Sequence, residues 1–213
     1  TINDGSRYVD ATNCIFYYRF NADLLDTCSA TGGGAVTLSN QASVGSSGKM
    51  GNGLTLDGTE DYADGSGSGI SITGSWSFEA WIKPDVTNAG LLMCFCDADG
   101  TDGEQELAIY LTIGDELRID YDDGFGSNRY ATGGFGEPSI DLDNDWAHIA
   151  ITHDGIDSID IYHNGKRIKE DHNTLDIDIN PSNSPSLYIG GHPANPFGSA
   201  DFDGVLDEVR FTN

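Results

Sequence analysis

Cations are scarce in this 213-residue chain: 10 Lys and Arg stand against 35 Asp and Glu, a formal net charge of -25. That balance argues against nucleic acid as a partner, because phosphate binding needs a basic footprint. An anionic membrane surface would repel the chain as well. Long apolar runs are also missing. The longest, LLMCFC, falls far short of the roughly 20 residues that span a bilayer, so no membrane insertion is expected. No apolar pattern of helical period lasts beyond about two turns. Proline is few at 6, and no C-x-x-C pair occurs among the four cysteines, so their spacing is not that of a zinc site. Cys94 and Cys96 share one strand face and are not expected to bridge each other, whereas Cys14 and Cys28 could close a hairpin. The cysteines leave the compartment open. No signal peptide is visible, and a start at Thr1 suggests a processed or trimmed precursor.

Catalytic signatures are equally sparse. There is no G-x-S-x-G elbow, and His148, His153, His163, His172 and His192 have no triad partner in sequence. His148 and Trp146 share a face in DWAHIAIT and read as packing residues. The pairs Asp141/Asp143 and Asp176/Asp178 would stand roughly 6.5–7 Å apart on a strand, within reach of an inverting glycosidase geometry. Among 27 Asp such pairs arise by chance, and no enzymatic activity is expected. DADGTDGEQE, 97–106, begins like an EF-hand but carries Asp102 at the sixth position and Ala108 at the twelfth. It reads as a polar turn.

What is abundant is glycine, 28 residues placed between short alternating runs, as turns between strands require. With 38% hydrophobic residues the chain can bury one sizeable core. Strands are expected at NCIFYYRF (13–20), on either side of Asp57-Gly58 in GLTLDGTEDYAD (53–64), and at SWSFEAWIKP (75–84). In the last of these Trp76, Phe78, Ala80 and Ile82 form one face and Ser77, Glu79, Trp81 and Lys83 the other. GLLMCFCD (90–97), QELAIYLTI (105–113) and ELRIDY (116–121) follow, then DWAHIAITHD (145–154). Asn164-Gly165, between IDIYH and KRIKE, is a hairpin signal. LYIGG (187–191) and a final strand at 202–212 close the chain. More than ten strands without a helix imply an all-β fold of two packed antiparallel sheets. Residues 1–12 read as a polar lead-in or linker, and 13–213 as the domain.

The final strand, FDGVLDEVRF, poses a problem. Alternation puts Val205, Asp207, Val209 and Phe211 on one face, so a carboxylate stands among core residues and needs a partner. Acceptance of backbone N–H groups or pairing with Arg210 or Arg19 would satisfy it.

The order YYRFNADLLDTC, GNGLTLDGTEDYAD, SWSFEAWIKP, DWAHIAITHDG with IDIYHNGKRI, LYIGG and FDGVLDEVRFTN resembles a laminin G-like domain of the concanavalin A-like lectin/glucanase superfamily, over about residues 13–213. The resemblance implies a two-sheet antiparallel jelly-roll β-sandwich, usually extracellular and usually a binding module. It further implies a structural Ca2+ held by Asp207 and Asp26, a hard-cation site that oxygen ligands would complete. The Glu-x-Asp-x-x-Glu strand of retaining glucanases in that superfamily is absent.

Two loops mix aromatics with polar groups, as sugar sites do. One, 121–136, carries Tyr121, Asp122, Asp123, Phe125, Asn128, Arg129, Tyr130 and Phe135; the other, 190–201, carries His192, Asn195 and Phe197. The leading expectation is a non-catalytic, calcium-stabilised module, extracellular or at a particle surface, binding a glycan or cell-surface polymer. The alternative is a structural, adhesion or virion-decoration domain acting through protein contacts.

Overall fold

The computed structural model describes residues 13–21, 24, 28, 34–65, 72–85, 90–96, 105–112, 116–122, 127–131, 142, 145–171, 186–193 and 201–213. The expected lead-in 1–12 lies outside them. In chain order the strands are β1 (Cys14–Tyr18), β2 (Thr37–Ser39), β3 (Ser43–Gly48), β4 (Gly51–Asp57) and β5 (Tyr62–Gly65). Next come β6 (Ser75–Pro84), β7 (Gly90–Cys96), β8 (Gln105–Leu111), β9 (Leu117–Asp122) and β10 (Ser127–Ala131). The last five are β11 (Ala147–Asp154), β12 (Ile159–His163), β13 (Lys166–Asp171), β14 (Ser186–Ile189) and β15 (Asp203–Thr212).

They form an all-β, two-sheet antiparallel jelly-roll sandwich. The eight-stranded sheet runs β13-β12-β11-β6-β15-β4-β3, with β1 also pairing β15; the seven-stranded sheet runs β10-β9-β8-β7-β14-β5-β2. Among the described residues no helix is long and apolar enough to cross a membrane. The alternation read from SWSFEAWIKP is realised: Trp76, Phe78, Ala80 and Ile82 are buried, and the residues between them are less so. Phe211 of β15 meets Phe16 (5.9 Å between ring centroids), Trp76 (5.3 Å) and, edge-on across the sandwich, Phe95 of β7 (5.3 Å). That aromatic cluster joins the two sheets. Asn164 and Gly165 both adopt positive φ, 50° and 77°, as their two-residue hairpin requires.

Three strands escape a reading by pattern. β2 is three residues long, β3 is SVGSSG, and β10 is SNRYA within a Gly-rich stretch. Their own residues carry little β preference, and partner strands recruit them.

Two expectations are corrected. The face assignment of the last strand fails because β15 carries a bulge between Asp207 and Arg210 in its pairing with β6, with Glu208 at φ 52°. The extra residue resets the alternation. Leu206, Val209 and Phe211 face the core, while Asp207 pairs opposite Trp81 and Arg210 opposite Glu79, both on the outward row of β6. Second, Cys94 and Cys96 are bonded to each other. Their Cα atoms stand 5.7 Å apart. A regular strand would separate them by about 6.6 Å, and bridged cysteines commonly lie at about 4.4–6.8 Å. Cys14 and Cys28 form the other disulfide, as their spacing allowed.

Candidate functional site

The outward row of β6 builds one candidate surface. Trp81 lies opposite His148 of β11 on one side and Asp207 of β15 on the other. The His148 ring meets Trp81 edge-on at 5.1 Å, and the Lys49 ammonium, from the turn between β3 and β4, sits 4.5 Å over the indole. Glu79, two residues back on the same face, accepts from Arg210 and lies 3.7 Å from His148 Nε2. Arg210 also lies 5.7 Å over the Tyr17 ring. Tyr17 donates its hydroxyl hydrogen to Glu208, whose other oxygen is 3.6 Å from Arg19 Nε. Burial, and then the Glu208 bond, holds the Tyr17 hydroxyl above its ordinary pKa. Glu79, His148, Arg19 and Arg210 each keep about a third or a quarter of their side-chain surface exposed. The surface is therefore an aromatic platform edged by side chains of both charges.

Asp207 lies beneath this row, fully buried. Its Oδ2 accepts the Met50 N–H and its Oδ1 the Glu208 N–H, each at 2.8 Å. The β3–β4 turn thus closes over the carboxylate and is tied down by it. Burial pushes the Asp207 carboxyl up to about 6, the neighbouring Glu208 charge adds to this, and the backbone donors oppose it. Backbone donation accounts for the buried charge, one of the two non-metal partners the sequence allowed. The Lys49 N–H bonds the same carboxylate, so one of its lone pairs is left over, an oxygen donor compatible with a hard cation. Asp26 lies outside the described residues.

The outward face of the seven-stranded sheet carries the other candidate surface. Arg118 of β9 grips Asp120 with two bonds of 2.8 Å, and Tyr110 of β8 donates to the same carboxylate at 2.5 Å. The guanidinium lies 4.8 Å over the Tyr110 ring. Burial first, then Asp120, raises the Tyr110 hydroxyl pKa. Beside this group Leu91, Cys94, Cys96, Ala108, Tyr110 and Tyr188 form a second buried cluster, so β7 is covered on both faces. Tyr62 packs on its edge. After β14 the chain turns at Gly190, φ 90°, where a Cβ would fall 2.3 Å from Leu56 Cδ1. The turn sends buried His192 against Tyr188, 4.5 Å between ring centroids.

The expected ligand loops divide differently from their sequence reading. Tyr121 and Asp122 end β9, and Asn128, Arg129 and Tyr130 belong to β10, so part of the supposed loop is a hairpin with Asn128 opposite Tyr121 and Arg129 opposite Asp120. Asp123, Phe125, Phe135, Asn195 and Phe197 lie outside the described residues, as do 97–104, Asp141, Asp143, Asp176 and Asp178. Through the ladders of β8 and β7, Tyr121 aligns with Leu187 near the start of β14. The chain reaches His192 from the other end of that strand. Sequence reasoning passed over Trp81, although a Trp on the non-core face of a clean alternating strand was a usable signal. Arg118 and Asp120, two residues apart in one strand, gave no such signal until Tyr110 closed the network.

The family profile described as the concanavalin A-like lectin/glucanases superfamily matches residues 57–213. No curated protein matches the chain. Among solved structures, the binding domain of Paraclostridial Mosquitocidal Protein 1 is similar at a TM-score of 0.65 and 18% identity, covering 95% of this chain and 49% of that one. The binding domain of Botulinum neurotoxin DC, solved with rat synaptotagmin II, has a TM-score of 0.65 at 14% identity, covering 95% and 48%. The Botulinum neurotoxin serotype D ligand binding domain, solved with N-acetylneuraminic acid, has a TM-score of 0.63 at 14% identity, covering 93% and 47%. The chain thus spans about half the length of the structures it matches, and at these identities the likeness is one of fold. With the profile covering most of the chain and the two-sheet jelly roll beneath it, this protein belongs to the concanavalin A-like lectin/glucanase superfamily, in its laminin G-like branch.

Proposed function

We propose that this chain is a non-catalytic recognition module for a glycan or other cell-surface polymer. The observation that carries the reading is the Trp81 platform: a partly exposed indole with Lys49 over it, His148 at its edge, and Glu79 and Arg210 alongside. Lys49 is exposed and its side chain can swing off the indole, so that a sugar ring stacks on the uncovered face while its hydroxyls bond to the surrounding charged groups. Fold neighbours support the reading, since those solved with N-acetylneuraminic acid or synaptotagmin are binding domains. The two disulfides support an oxidising setting, extracellular or at a particle surface. A protein-contact role would want a continuous apolar patch. Among the described residues the exposed large apolar side chains are Met50 and Ile156, which lie on separate turns. Calcium belongs to the same proposal: Asp207 and Asp26 would hold it, and the ion would brace the β3–β4 turn without taking part in chemistry.

The test is a glycan array probed with wild type and Trp81→Ala, in calcium and again in EDTA. Saturable binding to one sugar class, weakened by Trp81→Ala, supports the platform. A blank array in both conditions overturns the glycan reading for the sugars displayed. Binding indifferent to EDTA removes calcium from it.

A further inference from the structure

The cluster on the outward face of the seven-stranded sheet has a composition that sugar recognition does not use. Cys94 and Cys96 are both buried there, and buried His192 is folded back over the same strand. The Sγ atoms and a His192 ring nitrogen all lie within 4.8 Å of one another. Three features of the fold converge on this arrangement. Cys94 and Cys96, two apart in β7, lie on the same outward face of the sheet. Gly190, whose N–H donates to Leu92 O at 3.1 Å, turns the chain back across β7. Asp201 accepts the His192 N–H at 3.4 Å and the Glu60 N–H at 2.7 Å, anchoring the segment that carries the imidazole.

As a crosslink alone, the Cys94–Cys96 bond does little. It joins residues two apart, and the stabilisation a disulfide draws from the unfolded chain grows with the loop it closes. The Cys14–Cys28 bond, with a separation of 14, has the larger effect of this kind. Opened, the same two cysteines become a pair of soft ligands beside an imidazole. Zinc bonds thiolate at about 2.3 Å and imidazole nitrogen at about 2.0–2.1 Å, which sets tetrahedral ligands a little under 4 Å apart. Small side-chain rotations reach that spacing from the separations present. The apolar shell of Leu91, Ala108 and Tyr188 favours such a complex, because two thiolates neutralise a divalent ion.

We propose that Cys94, Cys96 and His192 form a reduction-gated zinc site. A dithiol reductant supplies two electrons and two protons and is itself oxidised to a disulfide. The Cys94–Cys96 bond breaks, and each sulfur takes a proton. Zn2+ then displaces both thiol protons to solvent and accepts a lone pair from neutral His192, with water as fourth ligand. In the reverse direction a disulfide oxidant takes the two electrons and, with two protons from solvent, is reduced to thiols; the Cys94–Cys96 bond re-forms and the ion, having lost both thiolates, is released. The site thus reports the redox state of its surroundings, independently of any glycan bound on the other sheet.

The experiment uses the full chain carrying Cys14→Ala and Cys28→Ala, so that one cysteine pair remains. Before and after reduction and anaerobic desalting, Zn2+ uptake is titrated against a chromophoric chelator, with Co2+ as a spectroscopic reporter. The expected result is one zinc per chain in the reduced protein and none in the oxidised one. Co2+ should show a near-ultraviolet thiolate charge-transfer band. His192→Gln should weaken zinc binding at least tenfold, and Cys96→Ser should abolish the band. Should Cys96→Ser not fold, alkylation of the reduced thiols must abolish uptake instead. No zinc in the reduced protein, or equal uptake in oxidised or alkylated protein, overturns the proposal.

Discussion

Replacing Asp207 with Asn tests how the buried carboxylate is held. In the folded chain its pKa is pushed from 3.8 up to about 6, chiefly by burial. Between those two values the folded protein keeps a proton that the unfolded chain has released, so this group's contribution is complete below 3.8 and is lost as pH rises through 6. At about 1.4 kcal/mol per pH unit, the loss comes to about 3 kcal/mol by neutral pH. Asp207→Asn cannot titrate, so its stability curve omits this term while sharing all the others. Urea denaturation of both proteins in EDTA, at intervals from pH 4 to 7.5, gives the difference directly. The wild type should lose about 3 kcal/mol relative to the variant as pH rises across that range. A difference that stays flat, or that moves in the wild type's favour, refutes the account of Asp207 as a desolvated carboxylate held by Met50 and Glu208 N–H groups. Calcium supplies a second arm. An ion at Asp207 selects the ionised form, so saturating calcium should reverse the slope in the wild type and leave Asp207→Asn unchanged.

Other perturbations have expected outcomes of their own. Arg118→Met should destabilise the chain by about 3–5 kcal/mol in chemical denaturation, because it leaves Asp120 buried without its cation. Tyr110→Phe, which removes a single donor to the same carboxylate, should cost only about 1–3 kcal/mol in that assay. Phe211→Ala should cost about 3–5 kcal/mol, as it empties the aromatic junction between the sheets, and thermal unfolding checks it. Trp81→Ala should leave the unfolding midpoint nearly unchanged while lowering affinity for any glycan found on the array by about tenfold, or 1.4 kcal/mol. Parallel losses in fold and binding would assign Trp81 to packing.

Much of this protein was set by sequence alone. A period of two in SWSFEAWIKP assigns core and outer faces, and Asn164-Gly165 selects a hairpin, because both are local consequences of backbone geometry. The six ordered segments led to the family because each carries a local strand or turn pattern that survives in the fold. The tertiary structure decided what alternation cannot carry. The bulge at Glu208 moves Asp207 out of the core row, and nothing in DEVRF announces it, since it arises from fitting β15 between β6 and its other neighbours. Cys94 and Cys96 stand 5.7 Å apart at Cα, within bonding distance, where spacing along an ideal strand argued otherwise. His192 reaches those cysteines, and Lys49 reaches Trp81, from segments far away in sequence. Such meetings depend on which strands the sheet makes neighbours, a choice made by burial over the whole sandwich and not by any one segment.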